Sequence, residues 1–191
     1  MKVKCNKCNK IVNEEESIPK KLGIDKDDYV KIYLCPKCRK ELMGSDWELD
    51  WGWISRIPAL SEEFVEKYKD KLNWHSISKY QKLSEEFIEK FEDKVDWGWI
   101  SFNQKLSEQF IEKYKYKVDW YWVSAYQKLS EPFIEKYKDK VNWCLVNKYQ
   151  ELYPGFVLKH IDKITEEIFY NPCFGNYPMS VKLLLKQKFN K

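Results

Sequence analysis

The sequence predicts an all-α fold, a short α-solenoid of about five two-helix repeats, and three observations lead there. The first is a period. Trp51, Trp74, Trp97, Trp120 and Trp143 succeed one another at steps of 23 residues, as do Leu60, Leu83, Leu106, Leu129 and Leu152. The second is composition, with 34% charged residues and only 6 Gly, a mix that favours helices over turn-rich β-structure. The third is that a helix-capping residue type stands before every repeated Trp. A fixed period of this length marks stacked supersecondary units, none able to bury its apolar face alone.

Each unit reads as two helices. The first runs over LSEEFVEKYKDK, residues 60–71, with Ser61 as N-cap and Glu62 and Glu63 beside the positive end of the dipole. Leu60 and Val65 are placed to form a hydrophobic staple, and Phe64 and Tyr68 make an apolar stripe. Pro132 falls in the first turn of the fourth copy, where a missing N–H is tolerated. The second helix starts after Asp50, Asn73, Asp96, Asp119, Asn142 and, in the degenerate last copy, Thr165, all N-cap types. Helices of about 11 and 7 residues with short turns fit the period. The array spans residues 46–165. Residues 166–191, with the turn-rich NPCFGNYPMS and the apolar VKLLLKQKF, read as the cap such stacks require.

The phrase KVDWGWIS at 94–101 holds two tryptophans with different prospects. The first slot is Trp in all five full copies, which predicts a core position. The second slot holds Trp53, Ser76, Trp99, Trp122 and Leu145, so the frame does not demand an aromatic there. On a helix it lies about 200° from the first, off the core face. Partial packing against the next unit and an exposed aromatic row both remain open. Exposed tryptophans are what binding hot spots are made of. The candidate partner-binding residues are therefore Trp53, His75, Trp99, Tyr121, Trp122 and Leu145.

The copies, with their QKLSEEFIEKF and KVDWGWIS phrasing, resemble a tandem short-repeat family of bacteriophages and large DNA viruses. The resemblance covers about residues 46–170. It implies a viral or mobile-element setting and an interaction role, and it implies no catalytic activity.

Residues 1–45 lie outside it and carry a different signal. Cys5-x2-Cys8 and Cys35-x2-Cys38 are paired knuckles with the spacing of a tetrahedral zinc site. With strand-like alternation at DDYVKIYL between them, the segment is zinc-ribbon-like. Four thiolates would fill the coordination sphere, so the Zn2+ is expected to be structural rather than catalytic. Cys144 and Cys173 read as spare thiols.

The N-terminus lacks an apolar leader and no run approaches a membrane span, which predicts an intracellular chain with no membrane partner. Charge is uneven: residues 1–45 hold 11 Lys and Arg against 7 Asp and Glu, and residues 46–165 hold 19 against 21. The near-neutral array weighs against a nucleic-acid role. The 2 histidines, His75 and His160, occupy repeat slots, and Ser55, Ser78, Ser101 and Ser124 recur as a repeat feature without a partner base. These readings converge on a non-enzymatic chain that binds a protein partner, as an inhibitor or adaptor of host machinery. The alternative is a zinc-ribbon protein that binds nucleic acid.

Overall fold

The computed structural model describes residues 2–4, 11–13, 51–57 and 60–190. Near the N-terminus, strands β1 (Lys2–Lys4) and β2 (Ile11–Asn13) pair antiparallel, with Lys2 opposite Asn13 and Lys4 opposite Ile11. This short ladder qualifies the all-α expectation, and its β-branched Val3, Ile11 and Val12 suit the pleat. Cys5, Cys8, Cys35, Cys38 and the alternating segment DDYVKIYL lie outside the described residues.

From Trp51 onward the described chain is helical, in regular repeats of about 23 residues. It divides into two compact units, residues 1–96 and 97–191. The first unit holds α1 (Trp51–Ile54), α2 (Glu62–Lys67), α3 (Trp74–Tyr80) and α4 (Glu85–Lys90). The second holds α5 (Trp97–Asn103), α6 (Glu108–Lys113), α7 (Trp120–Tyr126), α8 (Glu131–Lys136), α9 (Trp143–Tyr149), α10 (Pro154–Lys159) and α11 (Met179–Lys188).

The Ser-initiated helices begin as the sequence predicts. Ser61, Ser84, Ser107 and Ser130 each accept a hydrogen bond from the N–H three residues on, at 3.1–3.3 Å. They end sooner than expected, after six residues, because other groups satisfy the freed carbonyls. Tyr68 O accepts from Lys71 and Leu72 N–H at 2.9 and 3.2 Å. The indole of the following helix then takes the next carbonyl: Trp74 Nε1 donates to Lys69 O at 2.8 Å, and Trp120 Nε1 to Lys115 O at 2.9 Å. A tryptophan thereby closes the turn that precedes its own helix.

The expectation that the first tryptophan is core is corrected. Trp51, Trp74, Trp97, Trp120 and Trp143 are half-buried, and the fully buried positions belong to smaller β-branched residues. Ile77, Ile100, Val123 and Val146, three residues after Trp, have no exposed surface, and neither do Val65, Ile88, Ile111, Ile134 and Val157. An indole is too large for the closest approach of these short helices, whereas a branched aliphatic fits it. The tryptophan instead lies over an aromatic pair on the next helix. Trp97 meets Tyr114 with ring centroids 4.8 Å apart, and Trp120 meets Tyr137 at 5.0 Å.

Four further ladders tie successive repeats together, and three use residue types that look merely polar in sequence. Ser55 Oγ donates to Trp51 O at 2.6 Å and accepts from Asn73 N–H at 2.8 Å, a pattern repeated at Ser78, Ser101 and Ser124. Buried Gln127 accepts from Leu106 N–H at 2.9 Å and donates to Ser101 O and Gln104 O, both at 2.8 Å. Gln81 and Gln150 do the same in their own units. Glu108 accepts from Ser130 N–H and hydroxyl at 2.6 and 3.2 Å, as Glu62 does from Ser84. Lys136 pairs with Glu112, and Lys159 with Glu135 at 2.7 Å.

Thr165, predicted to cap a sixth helix, makes no side-chain cap bond, and Glu166–Tyr170 is a 3-10 turn. Its hydroxyl is engaged by Asn147 Nδ2 at 3.2 Å. The C-terminal segment packs on the last repeat of its unit. Tyr177 donates its hydroxyl to Leu152 O at 2.8 Å, Asn171 Nδ2 donates to Gln150 O at 2.8 Å, and Val181 and Leu185 of α11 are buried.

Candidate functional site

Once the ladders have used the polar side chains, the outward surface of the Trp-initiated helices is the remaining place for recognition. Within residues 97–191 that surface is aromatic. Positions two, five and six after the repeated Trp form one stripe on a helix. In α5 they are Trp99, Phe102 and Asn103, and in α7 Trp122, Ala125 and Tyr126.

Phe102 is the hub. Its ring meets Trp99 at 5.7 Å, Trp122 at 4.9 Å and Tyr126 at 4.7 Å, each edge to face. Tyr121 stands edge-on to Trp122 at 4.8 Å, and Tyr126 lies near-parallel to Tyr149 of α9 at 6.5 Å. Edge-to-face contacts at these separations are favourable and hold rings in fixed orientations. Trp99, Phe102 and Trp122 are half-buried, while Tyr121, Tyr126 and Tyr149 are exposed. The patch therefore combines rigid anchors with open faces.

Of the six candidates from the sequence, the structure brings Trp99, Tyr121 and Trp122 into this cluster's unit. Leu145, half-buried on α9, belongs to the same unit. Trp53 and His75 are in the other unit, Trp53 half-buried and His75 exposed with Nδ1 2.8 Å from Asp96 Oδ2. The second slot turns out to be a packing position in part: Ser76 is only 5% exposed. Sequence reasoning missed Phe102, Tyr126 and Tyr149. The signal was available, since their slots vary from copy to copy while the frame residues do not.

The electrostatics of the frame favour its ion pairs. Glu135 lies below the ordinary carboxylate range because Lys159 and His160 both donate to it. Glu112 is lowered by Lys136, whose own ammonium is raised in return. Ser55, Ser78, Ser101 and Ser124 have both hydroxyl roles occupied by backbone groups. Among the described residues no cluster of His, Cys, Asp or Glu has a metal-binding arrangement. Cys144 is exposed and Cys173 half-buried, both as free thiols.

These features define a helical tandem-repeat protein in which constant residues build the frame and variable ones decorate it. The chain matches no family model, and neither curated proteins nor solved structures are significantly similar to it. The likeness to the viral and phage repeats thus rests on the residues quoted for it. Among the described residues no helix is long and apolar enough to cross a membrane.

Proposed function

We propose that the chain is a binding protein whose repeats stack as an α-solenoid and present the Phe102-centred patch to a protein partner. Its role is that of an inhibitor or adaptor, and the resemblance noted above makes host machinery the natural target. The observation that carries this reading is the edge-to-face cluster of Trp99, Phe102, Trp122 and Tyr126. The repeat frame does not need large aromatics at these slots, because Ser76, Lys79, Ala125 and Asn103 fill the equivalent places. Rigid, half-exposed aromatic rings are the usual composition of interface hot spots.

The N-terminal cysteines are assigned to one structural Zn2+, held as four thiolates.

The test uses residues the frame already accepts. Phe102→Lys with Tyr121→His places at these slots what Lys79 and His75 supply in an earlier repeat. Capture of an identified protein from a host-cell lysate should be lost in this double variant while the helical signal is kept. Capture should survive nuclease and weaken only modestly with salt. A complex that neutralised several phosphates would instead lose orders of magnitude in affinity between about 50 and 200 mM salt. Loss of capture on nuclease treatment, with that steep salt slope, would replace this reading with nucleic-acid binding.

A further inference from the structure

In residues 97–191 the aromatic patch borders an open groove of about 700 Å³. Tyr126, Tyr149 and Tyr153 stand on its walls, 56%, 48% and 73% exposed. The rings of Tyr126 and Tyr149 are within 19° of parallel. The floor is formed in part by Gln127, Gln150 and Leu129. Their polar groups bond one another and neighbouring backbone, so the floor offers little to a ligand. Recognition falls to the rings and to the charges. Glu108, Glu131 and Glu151 line the groove against a single ammonium, Lys128. Glu131 gives Oε1 to Tyr153 N–H at 2.7 Å, and a carboxylate has lone pairs beyond that one.

The groove is also where the chain departs from its own repeat. The residue after the ladder glutamine is Lys82, Lys105 and Lys128, and then Glu151. The cap residue is Ser61, Ser84, Ser107 and Ser130, and then Tyr153. The second position of the helix is Glu63, Glu86 and Gln109, and then Pro132. Each departure lines this one groove. Tyr153 makes no side-chain cap bond, so its helix has lost a stabilising contact the four serines provide. A residue that breaks a local rule and stands exposed in a cleft is a candidate for function.

We infer that the groove receives an arginine-bearing segment of the partner protein, its guanidinium on the tyrosine faces and its N–H groups directed to Glu131 and Glu151. Aromatic faces attract cations, and a guanidinium also stacks and can bond a carboxylate through two parallel N–H groups. An ammonium lacks the planar face, and an anionic ligand would meet three carboxylates. This inference rests on the protein-binding reading and supplies the chemistry of the bound segment.

The test needs no partner. The full chain is titrated with fluorescein-labelled nona-arginine, nona-lysine, nona-glutamate and oligothymidine, at low and at physiological salt. Nona-arginine should bind most tightly. Glu151→Lys and Tyr153→Ser each restore what earlier repeats carry. Together they should weaken nona-arginine about tenfold, the sum of an exposed charge pair and a cation–ring contact. Tyr153→Ser should at the same time raise the urea midpoint by restoring the cap, so lost binding cannot be lost folding. Tyr126→Asn with Tyr149→Asn, copying Asn103 of the same slot, should weaken nona-arginine similarly. Unchanged nona-arginine affinity in these variants overturns the inference, as does equal binding of nona-lysine. Binding of oligothymidine or nona-glutamate that depends on the same tyrosines also overturns it. These titrations read the groove alone, whereas the Phe102→Lys and Tyr121→His variant reads the patch alone, so the two ideas fail separately.

Discussion

Gln150 reaches back one whole repeat to donate its Nε2 hydrogen to the carbonyl of Gln127 at 2.8 Å. The same amide also donates to Ser124 O, and its oxygen accepts from Leu129 N–H. One buried side chain thus satisfies three backbone groups of the preceding repeat, at the turn where no helix or sheet can do so. Buried backbone groups left without partners cost about 1–3 kcal/mol each.

Gln127→Leu should therefore be among the most damaging single changes in residues 97–191. It strands Leu106 N–H and the carbonyls of Ser101 and Gln104. The expected loss is about 3 kcal/mol in urea unfolding, after partial rescue by water. Lys128→Ala, next in sequence but exposed, should stay within about 0.5 kcal/mol. Similar effects from the two would remove the glutamine ladder from the account of stability.

The two tryptophans of one helix should differ in degree rather than in kind. Trp120 covers Tyr137 and Phe133 and donates to Lys115 O, so Trp120→Ala should cost about 3 kcal/mol. Trp122 packs only on the outer cluster, and Trp122→Ala should cost about 1–2 kcal/mol, the worth of its ring contacts plus partial burial. A larger loss at Trp122 than at Trp120 would place the outer cluster in the core and weaken the case for a binding patch.

Stability should respond to pH at both ends, with opposite signs. Burial raises the Tyr177 hydroxyl to about 12. A group raised on folding contributes in full below its unfolded value, near 10.0, and its contribution disappears as pH climbs through about 12. Glu135 is lowered by Lys159 and His160, so its contribution is present above the ordinary carboxylate value and lost as pH falls through the folded one. Thermal midpoints measured across pH should fall at each extreme. Tyr177→Phe should shrink the alkaline fall and cost about 1 kcal/mol at neutral pH for the bond to Leu152 O. An unaltered alkaline limb in that variant would show that other groups govern it.

Metal content offers the most direct check on the N-terminal segment. Elemental analysis should find one zinc per chain, and Cys35→Ser should lower it. Chelation should leave the helical circular-dichroism signal largely intact, because the repeats bury their own Ile and Val core. Zinc content that ignores Cys35→Ser would overturn the ligand assignment.

Much of the frame could be read along the chain. Ser61, Ser84, Ser107 and Ser130 cap their helices, and Asn73, Asp119 and Asn142 do the same for the Trp-initiated ones. Capping depends on atoms three residues apart, so local sequence contains the whole interaction. The site was less legible. Trp99, Tyr121 and Trp122 were visible as varying aromatics, but Phe102 stands in a slot occupied elsewhere by Arg56, Lys79, Ala125 and Lys148, where nothing local marks it.

By itself the sequence determined the period, the two-helix unit, the caps and the identity of the variable slots. These follow from spacing and from each residue's reach to its own backbone. Only the tertiary structure decided that Ile and Val rather than Trp occupy the dry centre, since closest helix approach is a matter of volume between elements. It also decided that Gln127 and Gln150 are structural and that Phe102 gathers three rings about it. In both cases the contacting atoms lie about one repeat apart along the chain. Nothing in a local window places them within hydrogen-bond or van der Waals distance until the repeats are packed.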